Sequence, residues 1–453
     1  MKRILWTITV ALLMAGMVTG CNEDSETAVT PKEQIKPDSP QNSTENEEKP
    51  GSHETDSSVI NMLPKAQPMK LTGEQLKLVE NNNIFSTNLF AMINSLDKEK
   101  RSNFLSPISV TYLLSMLNDG AAGNSSKEIM AILGFGESDT QAINELCKAM
   151  IEGAPKVDPS VSVDISNYIA ANSHMNVKLE DLFKKDMETY YQAEAASLDF
   201  SSPDALKTIN DWCSQKTDGK IEKILDRLDA SSLLVLMNAV NFKASWVSKF
   251  DEKNTQTEIF TKDGGKTVEL PMMHQEALVR FASNDTYSTL LLPYGGTNAK
   301  WYMYVLLPQD NKTVNDVLEK MEGLNWTNFF WETDIYKVDI KMPRFTTTSE
   351  NDLIPSITKL GAPSIFDPNK ADLSKICGNF KNLYVSKMLQ KATIDVNEKG
   401  TEAVAVTAAV VDPTEAPQKP KPTAEFHANR PFVYVIQERS SGAIFFIGTF
   451  RGE

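Results

Sequence analysis

Residues 398–411 read Glu398-Lys399-Gly400-Thr401-Glu402-Ala403-Val404-Ala405-Val406-Thr407-Ala408-Ala409-Val410-Val411, and the run from Asp412 to Thr423 that follows holds Pro413, Pro417, Pro420 and Pro422. The first half is small and β-branched, lacks proline, and carries its charges only at the start. A sheet can therefore accept it as a central strand without burying a charge in the core. Side chains alternate along a strand, so one face would carry Thr401, Ala403, Ala405, Thr407, Ala409 and Val411, all slender enough to pass between existing strands. The second half behaves differently. Its prolines remove backbone donors and fix φ, and Lys419 and Lys421 add charge, which makes an extended, solvated loop. On this pattern alone an ordinary edge strand followed by a proline-rich linker is equally open, and the rest of the chain has to decide.

With 453 residues, 41% of them hydrophobic, the chain can bury a large core as one big domain or as two. The net charge of -14 argues against nucleic acid as a partner, where a basic face is the expected footprint. Met1-Lys2-Arg3, the apolar run Ile4 to Val18 and Thr19-Gly20-Cys21 have the regions of a secretory signal, and the run is short for a membrane span. Cys21 directly after two small residues resembles a bacterial lipobox, with a plain signal peptide as the alternative. Acyl chains on Cys21 would hold the protein on a membrane face. Asn22 to about Ser58 is acidic, rich in Ser, Thr, Pro and Asn, and too poor in large apolar residues to order itself. The expected organisation is a signal over 1–20, a lipidated Cys and tether over 21–70, and a folded body over 71–453. Localisation follows: export, and lipid attachment to a bacterial envelope membrane, facing the cell surface or the periplasm.

Cys147, Cys213 and Cys377 are scattered and odd in number, which fits buried small hydrophobes better than disulfides or a zinc site. His53, His174, His274 and His427 lie far apart, and HExxH, GxSxG and a Gly-rich phosphate loop are all missing from the sequence. Neither an enzyme, nor a cofactor, nor a metal is expected.

Helical periodicity begins near Gly73 and runs through Leu76, Leu78, Val79, Ile84, Phe85, Leu89, Phe90, Met92 and Ile93. Asn103 to Ser109 breaks it, a second helix runs through Leu113 to Leu117 as far as Gly120, and Asn124-Ser125-Ser126 can cap a third. Val161 to Ala171 alternates as a strand, Leu206 to Ile221 reads as a helix, and Leu233 to Phe242 is apolar enough for a strand covered on both faces. Tyr287 to Leu292 and Trp301 to Leu307 form a paired set, and Val338 to Met342, Ala392 to Val396, Phe432 to Gln437 and Ala443 to Phe450 are further strands. The fold class is α+β, with large, mostly antiparallel sheets and no internal repeat.

From about Leu71 onward these segments resemble the serpin family. Asn103 to Ser109 with Gly120 to Gly123, Ile209-Asn210-Asp211-Trp212 with Thr217 to Ile221, and Asn238-Ala239-Val240-Asn241-Phe242-Lys243-Ala244-Ser245-Trp246 are similar to its motifs. So are Pro343-Arg344-Phe345, Leu360-Gly361, Lys370 to Ser374, Val385-Ser386-Lys387 and Arg430-Pro431-Phe432, in the family's order and spacing.

The resemblance implies a single metastable domain with three sheets, surrounding helices and a reactive loop spanning about 398–426. A serine protease, or sometimes a cysteine protease, attacks the loop; before hydrolysis finishes, the hinge enters the main sheet and the enzyme is trapped. The hinge would be Glu398, Gly400, Thr401, Glu402, Ala403, Val404, Ala405, Val406, Thr407, Ala408 and Ala409. Counting forward from Glu398 places the cut at Thr414-Glu415, whereas counting back from Pro431-Phe432 places it near Pro420. Thr414, like Val411 or Ala416, implies an elastase-like target; Lys419 and Lys421 would imply a trypsin-like one, but each precedes a proline. Ser106, Ser109 and Asn238 carry over to the shutter beneath the opening sheet, where Gln390 stands in place of the family's usual His, and Lys243 and Trp246 carry over to the breach where insertion starts. A monomer is expected. The competing expectation is a non-inhibitory serpin, or a surface-binding lipoprotein, whose loop is merely cut.

Overall fold

The computed structural model describes residues 66–296, 298–401 and 421–453. Cys21, most of the tether, the hinge from Glu402 to Ala409 and the Thr414-Glu415 bond lie outside them. The body begins before Leu71: Ala66 and Met69 are buried and the Gln67 N–H donates to the Val157 carbonyl at 2.7 Å, so the end of the expected tether packs against the fold.

Helix α1 (Gly73–Leu96) opens on a capping box in which Thr72 and Gln75 each accept the other's backbone N–H. Helix α2 (Pro107–Gly120) starts with proline at its first turn and is buried almost all round, so it runs through the interior. Helix α3 (Gly123–Leu133) starts at Ala122 without a side-chain cap. The expected cap from Asn124, Ser125 and Ser126 is not made because tertiary partners take the hydroxyls: Ser125 Oγ accepts the Asp372 N–H at 3.0 Å and Ser126 Oγ donates to Asn118 Oδ1 at 2.6 Å. Helices α4 (Thr140–Val157) and α5 (Asp181–Tyr191) pack beside α2, and α6 (Pro203–Lys216) lies on the main sheet. Helix α6 stops five residues short of Ile221 because Asp218 and Gly219 adopt φ of 51° and 81°, a left-handed turn that ends a helix.

The strands are β1 (Asn103–Leu105), β2 (Val161–Asn172), β3 (Glu194–Leu198), β4 (Leu234–Ser245), β5 (Gln256–Thr261), β6 (Thr267–Ser283), β7 (Tyr287–Tyr294) and β8 (Trp301–Pro308). They continue with β9 (Asp334–Pro343), β10 (Phe345–Asp352), β11 (Val385–Asn397), β12 (Gly400–Thr401), β13 (Thr423–His427), β14 (Phe432–Glu438) and β15 (Ala443–Phe450). One sheet runs β1-β15-β14-β8-β7-β6-β9-β13, with β5 added on β6; the other, the main sheet here, runs β10-β11-β12-β4-β2-β3. Among the described residues most neighbours are antiparallel; β11 with β4, β2 with β3 and β13 with β9 are parallel.

A large core lies between the two sheets and the early helices, and a satellite core joins α6 to the outer face of β2 and β4 through Tyr168, Ile209, Trp212, Val235 and Met237. Cys147, Cys213 and Cys377 are buried free thiols, and burial pushes the first two up to about 12. Among the described residues no helix is long and apolar enough to cross a membrane.

Candidate functional site

The centre of the main sheet is a seam. Over most of its length β4 and β11 pair directly and in parallel, from Leu234 opposite Val385 to Val240 opposite Ala392. At its upper end β12 has come between them. Gly400 pairs with both Asn397 and Ser245, and Thr401 with both Val396 and Ala244, antiparallel to each neighbour. Between the two pairings, residues 241–243 and 393–395 face each other without a ladder among the described residues. Gly400 and Thr401 of the hinge are thus already a strand of this sheet, and from Val240 opposite Ala392 downward the seam is closed.

Several side chains fix that entry point. Glu398 is buried, and its carboxylate accepts from Thr255 Oγ1 at 2.6 Å and from Arg344 Nε at 3.1 Å. Burial alone would raise this carboxyl; the bonds from Arg344 and Thr255 outweigh it and hold it below its ordinary range. The backbone is held too: the Glu398 carbonyl accepts the Phe250 N–H at 3.0 Å, and the Lys399 carbonyl the Trp246 N–H at 2.9 Å. Gly400 has φ 145°, and a Cβ there would lie 2.1 Å from the Ala244 carbonyl oxygen, so only glycine passes this point. Thr401, fully buried, shares a 2.6 Å hydrogen bond with the Tyr294 hydroxyl. Trp246 stacks on Tyr294 at 4.2 Å between centroids, and its Nε1 donates to the Asn397 carbonyl at 2.9 Å. Trp246 therefore lies at the entry point, whereas Lys243 turns aside to pair with Asp218 at 2.6 Å.

Beneath the seam, Gln390 is fully buried. Its Oε1 accepts the Ser106 N–H at 2.7 Å, and its Nε2 donates to the Ser106 carbonyl at 2.9 Å. An amide offers both a donor and an acceptor, and both are used on one residue at the start of α2. Ser106 Oγ meets Ser109 Oγ at 2.7 Å, and Asn238 Nδ2 donates to Asn167 Oδ1 at 2.9 Å. Gln390 Nε2 also lies 3.4 Å from Asn238 Oδ1, so Ser106, Ser109, Gln390 and Asn238 form one cluster that spans β4, β11 and α2.

At the far end the loop stops sooner than 426. Thr423 to His427 is the edge strand β13, and the Pro422 carbonyl already accepts the Lys337 N–H at 2.9 Å. Here the separation of the histidines in sequence misleads: His274 Nε2 and His427 Nε2 sit 2.6 Å and 3.0 Å from the two oxygens of Asp339 and tie β13 to β6 across β9. Burial would raise Asp339, but the two histidines outweigh it and lower its carboxyl. Among the described residues no group of His, Cys, Asp or Glu is arranged to hold a metal.

Sequence reasoning did not assign Thr255, Tyr294, Phe250 or Arg344 a role in seating the hinge. Only Arg344, within Pro343-Arg344-Phe345, carried a local signal; the other three reach the hinge through folding alone.

Comparison with known proteins agrees with this geometry. Residues 80–452 match the family model described as Serpin (serine protease inhibitor). Human Serpin B8 is 32% identical over 382 residues, covering 82% of this chain and 98% of its own length. Horse leukocyte elastase inhibitor is 30% identical over 384 residues, covering 82% and 97%. Among solved structures, the thermophilic serpin tengpin in its native state aligns with TM-score 0.75 and 28% identity over 86% of this chain and 98% of its own. A thyroxine-binding globulin in complex with thyroxine aligns with TM-score 0.71 and 27% identity over 82% and 98%.

Proposed function

Because the chain belongs to the serpin family of serine protease inhibitors, we propose that it inhibits serine-type endopeptidases as a suicide substrate, by laying its cut loop into the seam between β4 and β11. The observation that carries this reading is β12. The hinge is already threaded between β4 and β11 at the top while the seam below stays closed, as expected of a sheet poised to take one more strand. Thr401 is followed by one charged residue, Glu402, and then from Ala403 to Val411 by residues with no charge and no proline.

A protease that acylates the loop would release its distal restraint, and the hinge would advance one row at a time down the seam, displacing the β4–β11 ladder ahead of it. The cut falls at Thr414-Glu415 on the hinge count, which favours an elastase-like enzyme; the horse relative named leukocyte elastase inhibitor supports the same class. Cys21 and the acidic stretch after it would hold the inhibitor at a membrane face, at the length of a flexible tether.

Incubation with pancreatic elastase tests the reading on a denaturing gel. A protein-sized adduct that survives SDS is the expected product, with mass spectrometry of the released peptide placing the cut. A clipped band with no adduct, across elastase-, chymotrypsin- and trypsin-type enzymes alike, would leave a loop that is only a substrate.

A further inference from the structure

Away from the seam, α2, α4 and α5 meet at a ring of polar side chains. Asp119 is partly buried near the end of α2, Asn144 is buried on α4 and Tyr191 is fully buried at the end of α5. Asn144 Nδ2 donates to Asp119 Oδ1 at 2.9 Å and lies 3.1 Å from Oδ2, and the Tyr191 hydroxyl is 2.6 Å from Asn144 Oδ1 and 3.1 Å from Asp119 Oδ2.

Counting hydrogens exposes a shortage. A tyrosine hydroxyl has one hydrogen, and here it faces two acceptors if Asp119 is ionised. Given to Asn144 Oδ1, the shorter contact, it leaves the tyrosine oxygen and a carboxylate oxygen opposed, with nothing between them. One added proton on Asp119 Oδ2 removes the conflict. The acid then donates to Tyr191, Tyr191 to Asn144, and Asn144 back to Asp119, so that each donor has one acceptor.

We propose that Asp119 is a proton-binding site, and that its proton closes a three-membered hydrogen-bonded ring that locks α2, α4 and α5 together. The groups facing it agree. Burial raises its carboxyl to about 6, the bonds from Asn144 and Tyr191 oppose this in part, Asp186 on α5 raises it further and Lys375 lowers it. From α4 the Cys147 thiol, and from α2 the Tyr112 phenol, are both pushed upward by burial and stay neutral. The sign follows from linkage. The folded value lies above the ordinary 3.8, so the stabilisation is complete below about pH 3.8 and is lost as pH rises through about 6. The same helix, α2, begins beside Ser106, the residue that Gln390 holds beneath the seam.

Asp119→Asn imitates the protonated acid, since its amide can donate to Tyr191 while its carbonyl accepts from Asn144. In the full-length uncut protein, the melting temperature of the wild type is expected to fall relative to Asp119→Asn as pH rises from 5 to 8, with the midpoint of the difference near 6. Infrared difference spectra should show a protonated-carboxyl band that titrates over the same range in the wild type and is missing from the variant. If Asp119→Asn does not fold, Tyr191→Phe serves: it should destabilise the protein more at pH 5 than at pH 8. A wild-type minus variant difference that is flat with pH, or that grows toward acid with the wild type losing, overturns the proposal, as does a carboxyl band untouched by Asp119→Asn. These readouts need no protease, so they stand or fall separately from the inhibitory reading.

Discussion

Glu398 shows how much depends on single contacts at the hinge. Its side chain is 4% exposed while Arg344 is 45% exposed, so the pair is solvated on one side only. Removing the arginine leaves a buried carboxylate with Thr255 as its remaining side-chain partner. Arg344→Ala is expected to destabilise the uncut protein by about 1 to 2 kcal/mol, less than a fully buried pair would cost because water screens the guanidinium. The pH dependence has a definite sign. The folded Glu398 lies below its ordinary 4.5, so its contribution is present above that value and fades as pH falls through the lower, folded one. Melting curves of wild type and Arg344→Ala should therefore converge in acid once pH falls below the ordinary 4.5 and on through the lower, folded value, where the wild type loses what the variant lacks. Gln390 makes the same point beneath the seam. Gln390→Ala strips the Ser106 N–H and carbonyl of their side-chain partner in a fully buried site and should cost about 1 to 3 kcal/mol in equilibrium unfolding, with Gln390→His recovering part of it.

At the scale of the elements, the long periodic ones were legible. The alternation over 161–171 and the apolar run over 233–242 became β2 and β4, and the reading of Ala443 to Phe450 coincides with β15. Boundaries failed where a local conformation overrides pattern, as with the left-handed Asp218 and Gly219 after α6, and where an alternating pattern is too polar to stand out. β10 alternates buried Phe345, Thr347, Ser349 and Asn351 with exposed residues, so its inward face offers little hydrophobic signal. The seat of the hinge was illegible for another reason. Thr255, Arg344 and Tyr294 lie more than fifty residues from Glu398 and Thr401, and no local rule links positions so far apart. Thr401 also changes how the hinge should be tested. Because it is already buried against Tyr294, a charge there would disturb the uncut sheet as well as the inserted one. Ala403→Arg, which would share a face with Thr401 in an inserted strand, places a charge in the seam as the strand advances. It is expected to keep the melting temperature of the uncut protein within a few degrees while turning adduct into clipped product on a gel.

For the molecule as a whole, the closed seam sets how much free energy the sheet can release. A strand over 401–411 placed between β4 and β11 would make roughly twenty ladder bonds, each worth about 0.5 to 1.5 kcal/mol net. Over Leu234 to Val240 it must first replace the existing β4–β11 ladder, so roughly a third of those bonds are exchanged rather than gained. What remains is on the order of 6 to 20 kcal/mol, similar to the roughly 5 to 15 kcal/mol that holds a protease domain folded. A hinge free of charge from Ala403 to Val411 and a seam with no insertion below Thr401 in the described sheet are both needed for that balance to favour the trap. The most direct test is the melting temperature of the intact protein against that of the same protein nicked once within 411–421 and kept as a two-chain complex. The nicked form should melt tens of degrees higher, because the freed hinge has become a full central strand. Equal melting temperatures would mean that the seam does not open, and would contradict the account.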